Sequence, residues 1–280
     1  MQPLGPIDVV PLFPEERAAL LDLLRSLGAE QWATPTVCPG WSVKDIASHL
    51  VADDFGRLGW QRDGHSENRF RPTSPEAFEE ELRVFVNQIN NSWVDATRRL
   101  SPRILIDLLE WTGRETQSLF ESLDTHGMGL GVAWAGERES ANWFDLAREY
   151  TERWHHQAQM RDAVGAPLLY EERLFGPVID TKVRAIPHAL SDRQAAVGAT
   201  IRVRLTGQLE RTYDIVCRDS GWQACVAGER EPAAIVTMDA DMAWRLLTRN
   251  LPRATIVERC AIDGDARLGE AVFDSFALVA

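Results

Sequence analysis

The chain has 280 residues, 45% of them hydrophobic, with 10 Trp and a formal net charge of −12. The length predicts two domains of unequal size and the apolar fraction excludes disorder, while the acidic field, without any basic run or zinc-finger spacing, excludes nucleic acid as a partner. No apolar run approaches the roughly 20 residues that span a bilayer, so no membrane partner is expected, and Met1-Gln2-Pro3-Leu4-Gly5-Pro6 lacks the regions of a signal peptide, which predicts a cytoplasmic protein. Cys38, Cys217, Cys225 and Cys260 form no C-x-x-C pair, so neither a disulfide framework nor an all-cysteine metal site is indicated. Lys44 and Lys182 are the only lysines in an arginine-rich chain, a bias better explained by a GC-rich genome than by physics.

The first 165 residues read as amphipathic helices. Pro14-Glu15-Glu16 opens one that runs to about Gly28, with Leu20, Leu21, Leu23, Leu24 and Leu27 as its apolar stripe. Residues 29–41 read as a loop. Ser42 is placed to cap a second helix whose apolar positions Val43, Ile46, Ala47, Leu50 and Val51 recur at three and four, with His49 near its middle. After a polar loop around residues 63–68, Ser74-Pro75-Glu76 starts a third helix to about Leu100, and Ser101-Pro102 a fourth to about Leu123. A glycine-rich connection, 127–136, leads to a fifth helix from about Ser140 to Val164, stopped by Gly165-Ala166-Pro167. These helices predict an up-and-down four-helix bundle over residues 1–168, a fold whose metal sites use inward side chains on facing helices.

Residues 169–280 change character. Ile201, Val203 and Leu205 alternate with polar residues, and turns at Thr206-Gly207-Gln208 and Asp219-Ser220-Gly221 separate further period-two runs, which predicts an antiparallel meander. A strand at Ala234–Met238, a helix from about Asp241 to Arg249, a turn at Asp263-Gly264-Asp265 and a closing helix at Leu268–Leu278 complete a small α+β domain.

Glu152 and His156 stand four apart on the fifth helix and so share one face. That spacing also describes an ordinary solvated helix pair. With His49 as a third ligand from another helix, it describes three protein ligands on a divalent metal with one position open, the arrangement of a catalytic rather than a structural site. His155, about 100° around the helix from His156, is read as packing at the edge of the site. Asp53, one turn after His49, can accept the second ring N–H of a ligating histidine but reads equally as a surface carboxylate and stays outside the site.

Other residues invite plainer readings. Nothing local lowers the pKa of Cys38, so it is not expected to be a nucleophile. Trp32, Trp41, Trp60, Trp134, Trp143 and Trp154 read as core rather than cleft. The acidic run Glu76, Glu79, Glu80, Glu81 is a solvated helix face, and Arg245, Arg249 and Arg253 are solvent-facing by default.

The stretches Cys38-Pro39-Gly40-Trp41-Ser42-Val43-Lys44-Asp45-Ile46-Ala47-Ser48-His49-Leu50 and Glu152-Arg153-Trp154-His155-His156-Gln157-Ala158-Gln159-Met160-Arg161-Asp162-Ala163-Val164-Gly165 resemble the mycothiol-dependent maleylpyruvate isomerase family, within the DinB-like metal-binding bundle superfamily. The resemblance implies a DinB-like bundle followed by a small domain similar to sterol carrier proteins, the α plus α+β class. It implies a divalent metal, usually zinc, on His49, Glu152 and His156, the residues that helix geometry selects. It also implies a low-molecular-weight thiol such as mycothiol as cosubstrate. Many relatives carry Asp where this chain has Gln159.

The function so implied is metal-dependent isomerisation or S-transfer at a small electrophile. In an isomerase the thiolate adds to a conjugated double bond, permits rotation and leaves; in a transferase it stays. Two other classes compete: a non-enzymatic, metal-stabilised bundle that binds a ligand or partner, and a metal-dependent hydrolase, for which no convincing general base is visible. The sequence leaves the oligomeric state undetermined.

Overall fold

The computed structural model describes residues 1–65, 67, 70–74, 77–248 and 251–274. Helix α1, Phe13–Ser26, carries Pro14, Glu15 and Glu16 in its first turn, where a missing N–H and negative charge are both tolerated, and ends two residues before Gly28 because Leu27 is extended. The segment read as a loop contains a one-turn helix, α2 (Ala29–Trp32), where the Gln31 side chain accepts the Gly28 N–H at 3.0 Å. Helix α3, Val43–Arg57, runs on into a π-helical turn at Leu58–Arg62. Helix α4 is Phe78–Thr97 and α5 is Pro102–Ser122, with Ser101 accepting the Ile104 N–H as an N-cap. The predicted start of α4 at Pro75-Glu76, the side chain of Glu79, and Ser66 and Asn68 of the polar loop lie outside the described residues.

The glycine-rich connection holds a small ribbon, β1 (Met128–Leu130) against β2 (Glu139–Ala141), so Ser140 is a strand residue rather than a helix start. Helix α6 spans Asn142–Val164 and stops at Gly165, whose φ of 69° is left-handed backbone that glycine adopts without penalty. Helices α1 and α3 each lie against both α5 and α6, which makes the four-helix bundle, and α4 packs on α3.

Two unforeseen helices follow, α7 (Glu172–Lys182) and α8 (Ala185–Ala189). Helix α7 carries Gly176 and Pro177 in its interior, and Leu174, Phe175, Val178 and Ile179 are all buried. The sheet has β3 (Thr200–Thr206), β4 (Arg211–Arg218), β5 (Gly221–Val226), β6 (Ala234–Asp239) and β7 (Ala261–Gly264), in the order β5-β4-β3-β6-β7. The meander reading holds for β3, β4 and β5; β6 joins β3 in parallel, and residues 261–264, overlapping the turn expected at Asp263-Gly264-Asp265, form an edge strand. Helices α9 (Ala240–Leu247), α10 (Arg253–Glu258) and α11 (Ala266–Ala271) complete the domain; Arg249 and residues 275–278 of the predicted helices lie outside the described residues.

One hydrophobic core is continuous across both halves. Trp154 of α6 stacks on Phe175 of α7 at 4.9 Å and meets Trp244 of α9 edge-on at 5.6 Å, its indole N–H donating to the Leu169 carbonyl at 3.2 Å. Arg245, read as solvent-facing, bridges Asp241 and Asp162 of α6. The amino terminus also crosses over: the Leu4 N–H donates to Ala224 at 3.1 Å and the Val226 N–H to Gln2 at 2.9 Å, adding a strap to the edge of β5. A second core, with Leu20, Leu24, Ile46, Leu50, Leu105 and Leu109, is confined to the bundle. Between the sheet and α7 and α9, an apolar cavity of about 20 Å³ is lined by residues including Ile179, Val203, Tyr213, Met238 and Leu246, room for a single water. No helix among the described residues is long and apolar enough to cross a membrane.

Candidate metal centre

The loop before α3 sets the position of His49. Thr36 donates both its N–H and its hydroxyl to the Trp41 carbonyl, each at 2.9 Å, and Gly40 turns the chain with a φ of 78°. Asp45 then accepts the Ser42 N–H at 2.9 Å in a reciprocal cap. From that start His49 lies two turns along, 5% exposed, with the Trp41 ring 5.2 Å from its own.

His49 and His156 meet edge-to-face across α3 and α6, ring centroids 4.7 Å apart. Glu152 lies 3.8 Å from His156 Nε2 and 3.9 Å from His155 Nδ1, and the ligand atoms of Glu152, His155 and His156 all fall within 4.8 Å of one another. His49 stands outside that trio but against His156. His155 is therefore nearer the cluster than its angular offset suggests, and its ring lies 4.2 Å from that of His156.

Hydrogen bonds fix the tautomers. His156 Nδ1 faces Gln159 Oε1 at 2.8 Å and His155 Nδ1 faces the Thr151 carbonyl at 3.0 Å. Both partners are acceptors, so both Nδ1 atoms carry protons and both Nε2 atoms keep their lone pairs. Gln159 takes the part that a carboxylate often plays beside a ligating histidine: its amide oxygen orients the imidazole. Burial dominates the acid–base behaviour of the rings, pushing His49 and His156 down to about 4 and His155 further, with Glu152 opposing for His49 and His156. All three are neutral at pH 7, the form that binds metal.

This donor set fits a divalent cation. His49 Nδ1 and His155 Nε2 are buried atoms without a hydrogen-bond partner, and imidazole nitrogens with a carboxylate are the ligands of zinc-type sites. His49, Glu152 and His156 would hold the ion. Asp53 Oδ2 sits 3.4 Å from His49 Nε2, the place of an orienting carboxylate; burial first, then Glu149 and Glu152, raises its pKa, although its side chain remains 29% exposed. Cys38 donates to Gln159 Oε1 at 3.3 Å, and burial pushes its thiol up to about 11, so it is protonated at neutral pH.

Behind the cluster lies an ionic network that sequence reasoning missed. Arg57 makes paired bonds to Asp145 at 2.6 and 2.7 Å and reaches Glu149 at 2.8 Å. Arg153 joins Glu149 at 2.9 Å to Asp54 at 2.5 Å, and Arg17 closes on Asp54 at 2.9 Å. All six side chains are buried, and their three positive and three negative charges cancel. The network ties α1 and α3 to α6 next to the turns bearing Asp53 and Glu152, and so holds the ligand-bearing helices in register.

The network predicts acid lability. Burial opposes ionisation of Glu149 and Asp145, but Arg57, with Arg153 and Arg148 for Glu149 and Arg148 for Asp145, outweighs it, holding Glu149 down to about 2 and Asp145 below its ordinary range. A carboxylate depressed in the folded state contributes stability that is complete above its unfolded pKa, near 4.3 for Glu and 3.9 for Asp, and is lost as pH falls through the folded value. Urea midpoints should therefore fall steeply from about pH 4.5 towards pH 2. An Asp145→Asn/Glu149→Gln variant should lack that limb; a wild-type midpoint flat over this range would contradict the assignment.

The molecule is thus a helical bundle with a buried histidine–carboxylate cluster, joined to a small α+β domain. The profile described as the mycothiol maleylpyruvate isomerase N-terminal domain matches residues 13–161, and the chain belongs to that family, an enzyme family by its description. The fold is similar to the crystal structure of a histidine-to-alanine variant of the mycothiol-dependent maleylpyruvate isomerase, with a TM-score of 0.54 at 13% identity over 91% of each chain. A second structure of that isomerase aligns at 0.48 with 15% identity, covering 85% of this chain and 86% of the other. No curated protein sequence matches the chain.

Proposed function

We propose that this chain is a metal-dependent enzyme that uses a low-molecular-weight thiol of the mycothiol kind to isomerise, or transfer sulfur to, a small electrophile. The divalent ion, zinc by donor type, is held by His49, Glu152 and His156. When bound, such an ion supplies Lewis acidity and lowers the pKa of a thiol that joins its open position. The observation that carries the reading is the buried meeting of His49 and His156 beside Glu152, with His49 Nδ1 and His155 Nε2 left without hydrogen-bond partners. Gln159 holds the His156 ring by its Nδ1–H, Trp41 covers His49, and the Arg57 network fixes α6 against α3. Cys38 remains a protonated thiol.

Cobalt substitution tests the thiol reading. Added mycothiol should produce a sulfur-to-cobalt charge-transfer band and be required for turnover, and product analysis then separates isomerase from transferase. Cobalt-loaded protein that ignores every small thiol yet hydrolyses an ester or amide would favour the hydrolase.

A further inference from the structure

We propose that Lys182 and Trp134 form an anion subsite, built jointly by the two halves of the chain, that holds a carboxylate of the electrophile within electrostatic reach of Glu152 and His155. The inference rests on the thiol-and-electrophile reading for the identity of the ligand. Its evidence is separate.

Lys182 ends α7 and is 1% exposed, yet its Nζ has no hydrogen-bond partner. It sits 5.3 Å from the centroid of the Trp134 ring, and the indole Nε1 of Trp134, itself 7% exposed, likewise has none. A cation–π contact stabilises a buried ammonium in part but satisfies none of its three N–H donors. Burial disfavours the charged form of Lys182 and Glu152 opposes it, while Lys182 in turn acts on His155, which puts the amine within electrostatic reach of the metal centre. Arg148 is committed to Asp145 and Glu149 at 3.1 and 3.2 Å, and Glu152 lies beyond ion-pairing distance of Lys182 and is the carboxylate of the metal cluster.

What remains is a buried lysine beside an indole N–H, neither with a protein acceptor. Burying an uncompensated ammonium is costly, so such a group marks a place where a ligand completes the pairing. A carboxylate matches: one negative charge against one ammonium, with two oxygens for two kinds of donor. A phosphate dianion would carry surplus negative charge next to Glu152. Trp134 comes from the loop between β1 and β2 and Lys182 from α7, so the subsite exists only when the α+β half is attached to the bundle.

The test uses zinc-loaded protein, Lys182→Met and Lys182→Arg variants, and butyrate with its neutral analogue butyramide as probes, followed by ligand-observed NMR. Wild type should bind butyrate at least tenfold more tightly than butyramide. Lys182→Met should lose that preference and Lys182→Arg retain part of it, with zinc content unchanged. Removing a bare buried charge should also raise the melting temperature of Lys182→Met by several degrees, which a purely structural lysine would not do. Equal butyrate affinity in wild type and Lys182→Met, or no preference for butyrate over butyramide in wild type, would overturn the subsite. Loss of the cobalt–thiol band in wild type, with the butyrate preference intact, would instead overturn the thiol reading and leave the anion subsite standing.

Discussion

His49→Ala and His156→Ala proteins are each expected to bind a divalent ion about 100-fold more weakly than wild type, with helical content unchanged. The two rings come from different helices and pack edge-to-face at 4.7 Å, so removing either leaves at most two of the three proposed ligands. The fold should survive because neither ring carries much of the core: α3 and α6 are held by Val43, Ile46, Leu50, Leu146, Tyr150 and Trp154 and by the ionic network. Gln159→Ala, which releases the His156 ring without deleting a ligand, should cost about tenfold. Metal analysis after dialysis against a weak chelator, with circular dichroism on the same samples, reads both quantities. Full retention of metal in both histidine variants would remove the site.

The largest stability effect is expected at Arg57. Arg57→Met should lower unfolding free energy by about 3–5 kcal/mol, because it strips the guanidinium from two buried carboxylates and leaves Asp145 and Glu149 facing each other. Adding Asp145→Asn and Glu149→Gln should recover much of the loss, since the cost lies in the abandoned charges more than in the missing bonds. The surface pair Arg62–Glu115, with side chains 38% and 40% exposed, provides the contrast: Arg62→Met should leave the urea midpoint nearly unchanged. Urea unfolding of the four proteins at pH 7 decides the matter, and an Arg57→Met loss no greater than that of Arg62→Met would refute the account.

The parts of the molecule legible in sequence are those written in local chemistry. Ser42 and Ser101 announce the starts of α3 and α5 and Gly165 the end of α6, because caps and left-handed turns are decided within a few residues. Glu152 and His156 could be paired because one helix face brings them together, and His49 because its apolar neighbours fix its helix. The network was illegible for a symmetrical reason: Asp54, Arg57, Asp145, Glu149 and Arg153 recur at helical spacing as charges, the pattern of a solvated face, and only tertiary pairing makes their burial tolerable. The same holds for Lys182, which looks like any terminal helix lysine. Helix α7 was hidden by Gly176 and Pro177, whose local preferences are overridden by the burial of Phe175 and Val178. The parallel pairing of β6 with β3 depends on the connection through space, which strand periodicity does not encode.

The amino-terminal strap has a colloidal consequence. An open sheet presents unpaired backbone at its outer strands, a template on which another chain can pair. At β5 that template is partly occupied by Gln2 and Leu4, which pair with Val226 and Ala224. Deleting the first five residues would bare the row of amides and carbonyls along β5, and the shortened protein should self-associate at concentrations where the full chain stays dispersed. A tag fused directly to Met1 risks the same outcome by pulling the strap from its groove, whereas a spacer that lets residues 2–4 settle would keep the edge capped.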